Sequence, residues 1–306
     1  MPIEVPNVKE KSSASSTQSR MPGSAVWEER WVTLPIGRMR YLQAGTGRAL
    51  ILIHGLMGYS FSWRFSIPAL APHATVYAVD NLGAGFSKAP DGLDCSMRAT
   101  AERILQFVDA LGITDFDLLG TSHGGAVAMM TAALSAERGD ARLKRLVLVA
   151  PVNPWSSHGR RLAPFIGGRL GSALFRNTVA RWRSLDYVWL RRMFGDGSKI
   201  PPDSVEGYRR PVVENHGFRH GQHIVRTWLA DLAELESAIP KIRDYPTLLM
   251  WGTRDRAVSF SSAKRLGECF SNCRLVAFPG VGHLPYEEAA EEFNRVLLEF
   301  LAEKQI

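Results

Sequence analysis

The sequence contains few cysteines and no long apolar run. Its three cysteines, Cys95, Cys269 and Cys273, are odd in number and match no zinc-binding spacing, so neither a disulfide framework nor a zinc site is expected. We expect reduced thiols and a cytoplasmic protein. No apolar stretch approaches the roughly 18 residues that a membrane-spanning helix needs. Residues 1–25, rich in Ser and Lys, lack the apolar core of a secretory signal and are predicted to be a disordered lead-in.

Acidic residues are outnumbered by basic ones, which gives the chain a net charge of +7. Much of the excess lies in residues 152–240, where arginines stand among Trp, Phe and Leu rather than in a polar run. No helix-turn-helix, RNP or zinc-finger pattern is present, so a nucleic-acid partner is not expected. A basic helix with aromatic residues can adsorb weakly to an anionic lipid surface. We keep this membrane-surface interpretation of the basic segment beside simple packing on the core.

Apolar runs typical of buried strands alternate with helical patterns over residues 26–151 and 241–306. This alternation predicts an α/β fold with a mostly parallel central sheet flanked by helices. Residues 152–240 lack strand patterning and contain several amphipathic helical candidates. They are predicted to form a helical cap inserted late in the sheet, at the carboxyl ends of the strands, where ligands bind in open α/β sheets.

The sequence GTSHG, residues 120–124, follows a predicted buried strand and precedes a predicted helix. In a G-x-S-x-G turn of this kind a nucleophilic serine is presented at a helix N-terminus, and its small neighbours let adjacent backbone pass. Successive residues of a tight turn point apart, so His123 is not expected to be the base for Ser122. The competing interpretation is that Ser122 is a helix N-cap in a glycine-rich turn.

A base and an orienting acid are therefore expected on other loops at the same end of the sheet. His283 stands in a glycine-rich loop between the last strand and the last helix, and Asp255 follows the strand TLLMWG. Taken singly, each has a simpler interpretation, as a solvated loop histidine and as a turn aspartate. Together with Ser122 they occur in the order Ser, Asp, His, each after a strand, which is typical of one group of serine hydrolases.

From about residue 27 to residue 300 the chain resembles the α/β-hydrolase superfamily, of the capped kind. The resemblance rests on His54-Gly55 with Gly58, the run DNLGAGFS that contains Asp80, the turn at Ser122, Asp255 and Gly282-His283. It implies a catalytic triad of Ser122, Asp255 and His283, and an oxyanion hole formed by the backbone N–H groups of Leu56 and His123. It also implies that His54 is structural and that Asp80 holds a turn.

The resemblance implies a serine hydrolase that cleaves carboxylic esters of small to medium apolar acyl groups through an acyl-enzyme, without a metal or organic cofactor. Dehalogenases and epoxide hydrolases of this superfamily carry aspartate where this chain has Ser122. Carbon–carbon hydrolases of the superfamily usually have an aromatic residue after the catalytic histidine, where this chain has Leu284. That reaction remains an alternative, as does a slow-turnover ligand receptor of the same fold. The sequence does not define an oligomeric state.

Substrate contacts are expected from aromatic residues of the predicted cap and from one residue after the oxyanion loop: Phe165, Phe175, Trp182, Trp189 and Trp63. Core packing is the alternative interpretation for Trp63. The spacing of His216, His220 and His223 could suit a metal on a helix. Because Gly217 and Gly221 disfavour a helix there, we predict ordinary cap histidines and no metal site.

Overall fold

One eight-stranded sheet forms the centre of the part of the chain that the computed structural model describes, residues 27–156, 160, 163, 168, 183–214 and 217–303. The strands are β1 (Glu28–Leu34), β2 (Gly37–Ala44), β3 (Ala49–Ile53), β4 (Thr75–Val79), β5 (Phe116–Thr121), β6 (Leu143–Val149), β7 (Thr247–Gly252) and β8 (Cys273–Phe278). Their order across the sheet is β1-β2-β4-β3-β5-β6-β7-β8. β2 runs antiparallel to both its neighbours, and the other pairs are parallel. The predicted α/β fold with a mostly parallel sheet is confirmed.

Helices cover both faces of this sheet. In chain order they are α1 (Ile67–Leu70), α2 (Met97–Ala110), α3 (His123–Glu137), α4 (Arg183–Met193), α5 (Ser204–Glu214), α6 (Gly217–Ala238), α7 (Ala263–Gly267), α8 (Pro285–Glu288) and α9 (Ala290–Ala302). Between β6 and β7 lie α4, α5 and α6, which we call the inserted helices. The boundaries predicted for the cap stay a prediction. Within the described ranges, no helix has both the length and the apolar content needed to cross a membrane.

The continuous apolar strands are explained by burial on both faces of the sheet. Successive residues of a strand point to opposite faces. In β3, Ile51 and Ile53 therefore pack into the core beside α2 and α3, whereas Leu50 and Leu52 pack into a second core with α1 and α9. All four side chains are almost completely buried, and each such burial stabilises the fold by about 1.5–3 kcal/mol.

The prediction that glycines disfavour a helix near residue 220 is wrong. α6 runs without interruption for 22 residues from Gly217 to Ala238. Tertiary packing outweighs the low helix propensity of glycine. A Cβ at Gly221 would lie 3.2 Å from Cγ of Met57, so the missing side chain lets the helix pack closely on the loop after β3.

Candidate active site

The residues singled out by sequence motifs lie just beyond the carboxyl ends of four parallel strands. Leu56 follows β3, Ser122 follows β5, Asp255 follows β7 and His283 follows β8. Since the carboxyl ends of parallel strands meet at one edge of the sheet, these residues are gathered there from across the chain. Ser122, His283 and Leu56 line the same cavity.

The turn at Ser122 is strained, and its glycines are required by close backbone contacts. Ser122 has a φ of +54°, a region that side-chain-bearing residues rarely adopt, and its side chain makes no N-cap hydrogen bond to α3. Ser122 thus occupies the N-cap position of α3, but its side chain does not cap the helix. A Cβ at Gly120 would lie 2.2 Å from the carbonyl oxygen of Gly124, and one at Gly124 would lie 2.2 Å from that of His54. No larger residue fits at either position.

Backbone strain is concentrated around this turn. Among the residues that the structure describes, Met57, Ser122 and Ala150 are the non-glycine residues with positive φ. Met57 and Ser122 both line the cavity, and the segment after Ala150 is tied to the turn because Val152 N–H donates to the carbonyl oxygen of Ser122 at 2.9 Å. Such conformations are unfavourable by about 1–3 kcal/mol each and cluster at functional sites.

The loop after β3, which contains Leu56, packs against the turn at Ser122. Gly58 N–H donates to the carbonyl oxygen of Gly55 at 3.0 Å, which closes a turn around Leu56. A Cβ at Gly55 would lie 3.1 Å from Cβ of Ser122, so this loop passes directly beside the serine. The N–H groups of Leu56 and His123 donate no hydrogen bond within the described part of the chain. The oxyanion hole assigned to these two groups stays a prediction.

His54 has both ring nitrogens engaged in holding that loop. Its Nε2 accepts a hydrogen bond from Asn81 N–H at 3.1 Å, so its Nδ1 carries the proton and donates to the carbonyl oxygen of Gly55 at 2.8 Å. Burial lowers the pKa of His54. A neutral ring with both nitrogens bonded cannot serve as a base, which agrees with its predicted structural part.

Asp80 is also used by the fold. Its carboxylate accepts hydrogen bonds from Ser60 N–H at 2.8 Å, Phe86 N–H at 3.0 Å and the Arg40 guanidinium at 2.9 Å. The side chain has no exposed surface. Asp80 thereby joins the glycine-rich turn after β4 to the 3₁₀ turn that begins at Ser60, and it holds no open position for a substrate.

Asp255 and His283 form a buried pair. Nδ1 of His283 lies 2.7 Å from Oδ2 of Asp255, so it is the ring nitrogen that donates to the carboxylate. The other carboxylate oxygen, Oδ1, accepts the N–H groups of Ala257 at 2.7 Å and Val258 at 2.9 Å. The neutral imidazole consequently carries its proton on Nδ1, which leaves Nε2 with a lone pair that can accept a proton.

His123 lies in a different environment. Its ring stacks on Trp228, with 5.9 Å between ring centroids, and its Nε2 has no hydrogen-bond partner among the described residues. Burial, with a smaller contribution from nearby His54, lowers the pKa of His123 to about 4. Its side chain is thus a neutral packing group. Its backbone N–H, the first of α3, remains at the turn.

Of the histidines weighed as metal ligands, His220 is buried against a thiol. Its Nδ1 lies 3.4 Å from Sγ of Cys95. Burial lowers the pKa of His220 to about 3 and raises that of Cys95 to about 11. Both groups are neutral, so this is not an activated nucleophile. His216 lies outside the described residues.

The cavity over Ser122 has a volume of about 360 Å³ and is lined mainly by apolar side chains. None of the described residues that line it is Lys or Arg. Three aromatic residues of its wall were not expected from the sequence: Tyr208, Trp228 and Tyr286. Aromatic residues also occur throughout the core, so composition alone did not distinguish these wall residues.

Of the residues predicted to contact the substrate, one lines the cavity and another does not. Trp189 lines the cavity and is 46% exposed. Trp63 does not line it: the side chain is completely buried and packs on Tyr286, with ring centroids 4.8 Å apart. The substrate-contact prediction for Trp63 is therefore wrong, and core packing is the correct interpretation. Phe165, Phe175 and Trp182 lie outside the described residues.

The exposed surface of α4 carries both apolar and basic side chains. Tyr187, Val188 and Trp189 are exposed, and so are Arg191 and Arg192. Four of the twelve arginines in residues 152–240, Arg161, Arg169, Arg176 and Arg181, lie outside the described residues. Weak adsorption of this segment to an anionic lipid surface stays a prediction.

Residues 48–290 match the family model described as "alpha/beta hydrolase fold", and the chain belongs to this family. It is 31% identical over 286 residues to haloalkane dehalogenase 2 of Mycobacterium tuberculosis, covering 89% of this chain and 94% of that protein. It is 26% identical over 268 residues to 2-hydroxy-6-oxo-2,4-heptadienoate hydrolase of Pseudomonas putida, covering 84% of this chain and 90% of that protein. The family suggested by the sequence motifs is thereby confirmed.

A solved structure described as a membrane phospholipase A, a bacterial virulence factor, superimposes with a TM-score of 0.74 at 25% identity. The match covers 90% of this chain and 86% of that one. The chain is thus similar to proteins that act on different bonds. The choice between reactions has to be argued from the site itself.

Proposed function

We propose that the protein is a serine carboxylesterase that cleaves esters of small to medium apolar acyl groups. The observation that carries the proposal is the arrangement of Ser122, His283 and Asp255. Ser122 stands on a strained turn in an apolar cavity that His283 also lines, and His283 Nδ1 lies 2.7 Å from the Asp255 carboxylate. This is the combination of nucleophile, base and orienting acid that acyl transfer requires.

In the proposed reaction the Ser122 hydroxyl oxygen attacks the acyl carbon while His283 Nε2 takes its proton. Asp255 holds the ring and stabilises the imidazolium that forms. The N–H groups of Leu56 and His123 donate to the oxyanion of the tetrahedral intermediate. The intermediate collapses, the carbon–oxygen bond to the alcohol breaks, and His283 returns the proton to the leaving alkoxide.

The second half of the reaction mirrors the first. His283 removes a proton from a water molecule, whose oxygen attacks the acyl carbon of the acyl-Ser122 ester. The same two amides stabilise the second oxyanion. Collapse releases the carboxylic acid, and the proton held by His283 restores the Ser122 hydroxyl. No cofactor takes part in this proposed sequence.

The chemistry of serine argues against dehalogenation, the reaction named for one relative. Displacement of a halide by the Ser122 hydroxyl would leave an alkyl ether on the enzyme. An ether has no carbonyl carbon for water to attack, so the enzyme would stop after one turnover. Ser122 turns over only with substrates that leave an acyl group on it.

The walls of the cavity favour an ester over the dienoate named for the other relative. That substrate is a carboxylate, and burying a carboxylate without a cation or several donors is strongly unfavourable. The described lining residues include no Lys or Arg. An uncharged acyl group instead matches apolar side chains such as Val225, Trp228 and Val258.

The volume of the cavity supports the size range. Ligand pockets commonly occupy about 300–1,000 Å³, and this cavity, at about 360 Å³, lies near the lower limit. We therefore expect the best substrates among short and medium acyl chains. Trp189, on the exposed side of the cavity, would contact the far end of a longer chain.

The test is hydrolysis of p-nitrophenyl esters from acetyl to palmitoyl by the wild type and by Ser122→Ala, prepared side by side. We expect turnover by the wild type with an optimum below the long chains, and loss of turnover in the variant. Absence of turnover by folded wild type with every ester would overturn the proposal. Cleavage of a ring-fission dienoate would then favour the carbon–carbon hydrolase, and tight ligand binding without turnover would favour the receptor.

A further inference from the structure

Glu288 joins two distant segments of the chain at the active site. Its side chain is buried, with the residue 7% exposed, and accepts three backbone hydrogen bonds. Oε2 accepts Gly282 N–H at 2.7 Å and Gly195 N–H at 2.9 Å, and Oε1 accepts Asp196 N–H at 2.8 Å. Gly282 precedes His283, whereas Gly195 and Asp196 follow α4. One carboxylate therefore fixes the histidine loop to the end of an inserted helix.

Direct backbone contacts tighten the same junction. His283 N–H donates to the carbonyl oxygen of Met193, the last residue of α4, at 2.6 Å. A Cβ at Gly282 would lie 2.3 Å from that same oxygen, and one at Gly195 would lie 2.0 Å from the carbonyl oxygen of Gly280. The loop before His283 and the segment after α4 therefore pass so closely that neither Gly282 nor Gly195 could carry a side chain.

We propose that Glu288 is a positioning residue that sets the orientation of the His283 ring. The inference rests on the proposed function, in which His283 is the base. The loop before His283 is also held by Gly280 N–H, which donates to Thr253 Oγ1 at 2.9 Å, and by the Val281 carbonyl oxygen, which accepts Arg254 N–H at 2.9 Å. Among these anchors Glu288 is the carboxylate. Charge-assisted hydrogen bonds are about twice as strong as neutral ones, so a carboxylate that receives three amides is a strong anchor.

Orientation matters because the two partners of His283 lie on separate loops. Its Nδ1 must meet Asp255, after β7, while its Nε2 must reach Ser122, after β5. A displacement of about 1 Å lowers the rate of such a reaction by about 100-fold. Glu288 touches neither the substrate nor the reacting atoms in this account and acts through the loop alone.

The preceding residue provides a control of matched burial. Glu287 is also 7% exposed, but its carboxylate is bonded to the side chains of Arg64, at 2.9 Å, Ser204, at 3.3 Å, and Tyr208. These bonds connect α8 to α5 and to the 3₁₀ turn before α1, not to the histidine loop. Loss of a buried carboxylate can thus be separated from loss of the anchor.

The experiment compares the wild type with Glu288→Gln and Glu287→Gln, using two readouts besides thermal stability. The first is the second-order rate at which a small fluorophosphonate labels Ser122, located by peptide mass spectrometry. The second is kcat and KM for the best p-nitrophenyl ester. Glutamine keeps the size of the side chain but replaces one acceptor oxygen with a donor NH₂ group, so at least one of the three amides loses its partner.

We expect Glu288→Gln to lower both the labelling rate and kcat by about 10- to 100-fold with KM changed less than about threefold, since a base out of place slows chemistry rather than binding. Glu287→Gln should label within about threefold of the wild type. If Glu288→Gln does not fold, Glu288→Asp decides. It keeps the charge but shortens the reach, and should lower the labelling rate in a folded protein.

Labelling of either folded Glu288 variant at the wild-type rate would overturn the inference. Equal reductions of the labelling rate in Glu288→Gln and Glu287→Gln would also overturn it. They would show that any buried carboxylate of α8 has this effect, whether or not it bonds to the histidine loop. Failure of the proposed function is seen separately, in the wild type itself. If folded wild type is not labelled at Ser122, the proposed nucleophile is wrong before any glutamate variant is considered.

Discussion

Two histidines near the Ser122 turn, His123 and His283, have opposite surroundings. His123 is adjacent in sequence, but its ring packs on Trp228 and has no carboxylate within hydrogen-bond distance in the described part of the chain. His283 is 161 positions away in sequence, yet its Nδ1 meets the Asp255 carboxylate at 2.7 Å. Both rings are buried. The ring of His123 is held by packing, whereas the Asp255 carboxylate fixes the tautomer and orientation of the His283 ring.

The largest effects are expected from removing the proposed nucleophile or base. Ser122→Ala and His283→Ala should each lower kcat on the best p-nitrophenyl ester by about 10⁴–10⁶-fold, because these residues act as one unit. Circular dichroism should show that both variants are folded. Retention of more than about a tenth of wild-type activity in either folded variant would remove that residue from the mechanism.

A slightly smaller effect is expected from Asp255→Asn. The asparagine oxygen can still accept Ala257 N–H and Val258 N–H, but its NH₂ group then faces Nδ1 of His283. That contact favours the tautomer with the proton on Nε2, which cannot accept a proton from Ser122. We expect kcat to fall by about 10⁴-fold with little change in melting temperature. Wild-type kcat in Asp255→Asn would contradict the proposed orientation of the ring.

The buried histidines should make stability depend on pH. The folded-state pKa of His123 is about 4 and that of His220 about 3, both below the usual value of 6.5. Between these values the unfolded chain binds protons that the folded protein does not, so the free energy of unfolding falls as the pH falls below 6.5. Each histidine contributes about 1.4 kcal/mol per pH unit in that window.

Urea unfolding of the wild type and His123→Leu at pH 7 and pH 5 measures the contribution of His123 to the pH dependence of the free energy of unfolding. Leucine retains the apolar contact with Trp228 but cannot titrate. Because groups such as Asp117 also titrate near pH 6, the informative quantity is the difference between the two proteins. The variant should lose less stability on acidification. An identical loss in both would show that His123 is not a buried neutral group in the folded protein.

The smallest effect on activity is expected at His123 itself. His123→Leu should lower kcat by less than about tenfold, because only its backbone N–H has a part in the proposed mechanism. The measurement is run beside His283→Ala with the same ester. If kcat fell as far in folded His123→Leu as in His283→Ala, the claim that His283 acts through its side chain and His123 does not would be wrong.

Local motifs made two features predictable: the fold, and the edge of the sheet at which the candidate site residues lie. The strand before Gly120, the small residues around Ser122 and the glycines before His283 are each encoded within a few positions, so their structural context follows from the sequence. The carboxylate facing His283 was also expected, since Asp255 follows the neighbouring strand of a parallel sheet. The roles assigned to these residues stay predictions.

Contacts between segments far apart in sequence were not predictable. Glu288 reads as an acidic residue near a helix start, and its bonds to Gly195 and Asp196 join positions more than 90 apart. The glycines of α6 were misjudged for the same reason, because the contact between Gly221 and Met57 lies outside any local pattern. Trp63 was placed at the substrate although its partner, Tyr286, belongs to α8.

The central claim, that Ser122 carries the acyl group during turnover, is tested most directly by trapping the acyl-enzyme. The wild type would be mixed with excess p-nitrophenyl butyrate, quenched in acid within milliseconds, and digested for peptide mass spectrometry. The account predicts one butyryl group per chain, on Ser122, and none in Ser122→Ala. Acylation at another residue, or turnover by the wild type with no acylated Ser122 at any quench time, would contradict it.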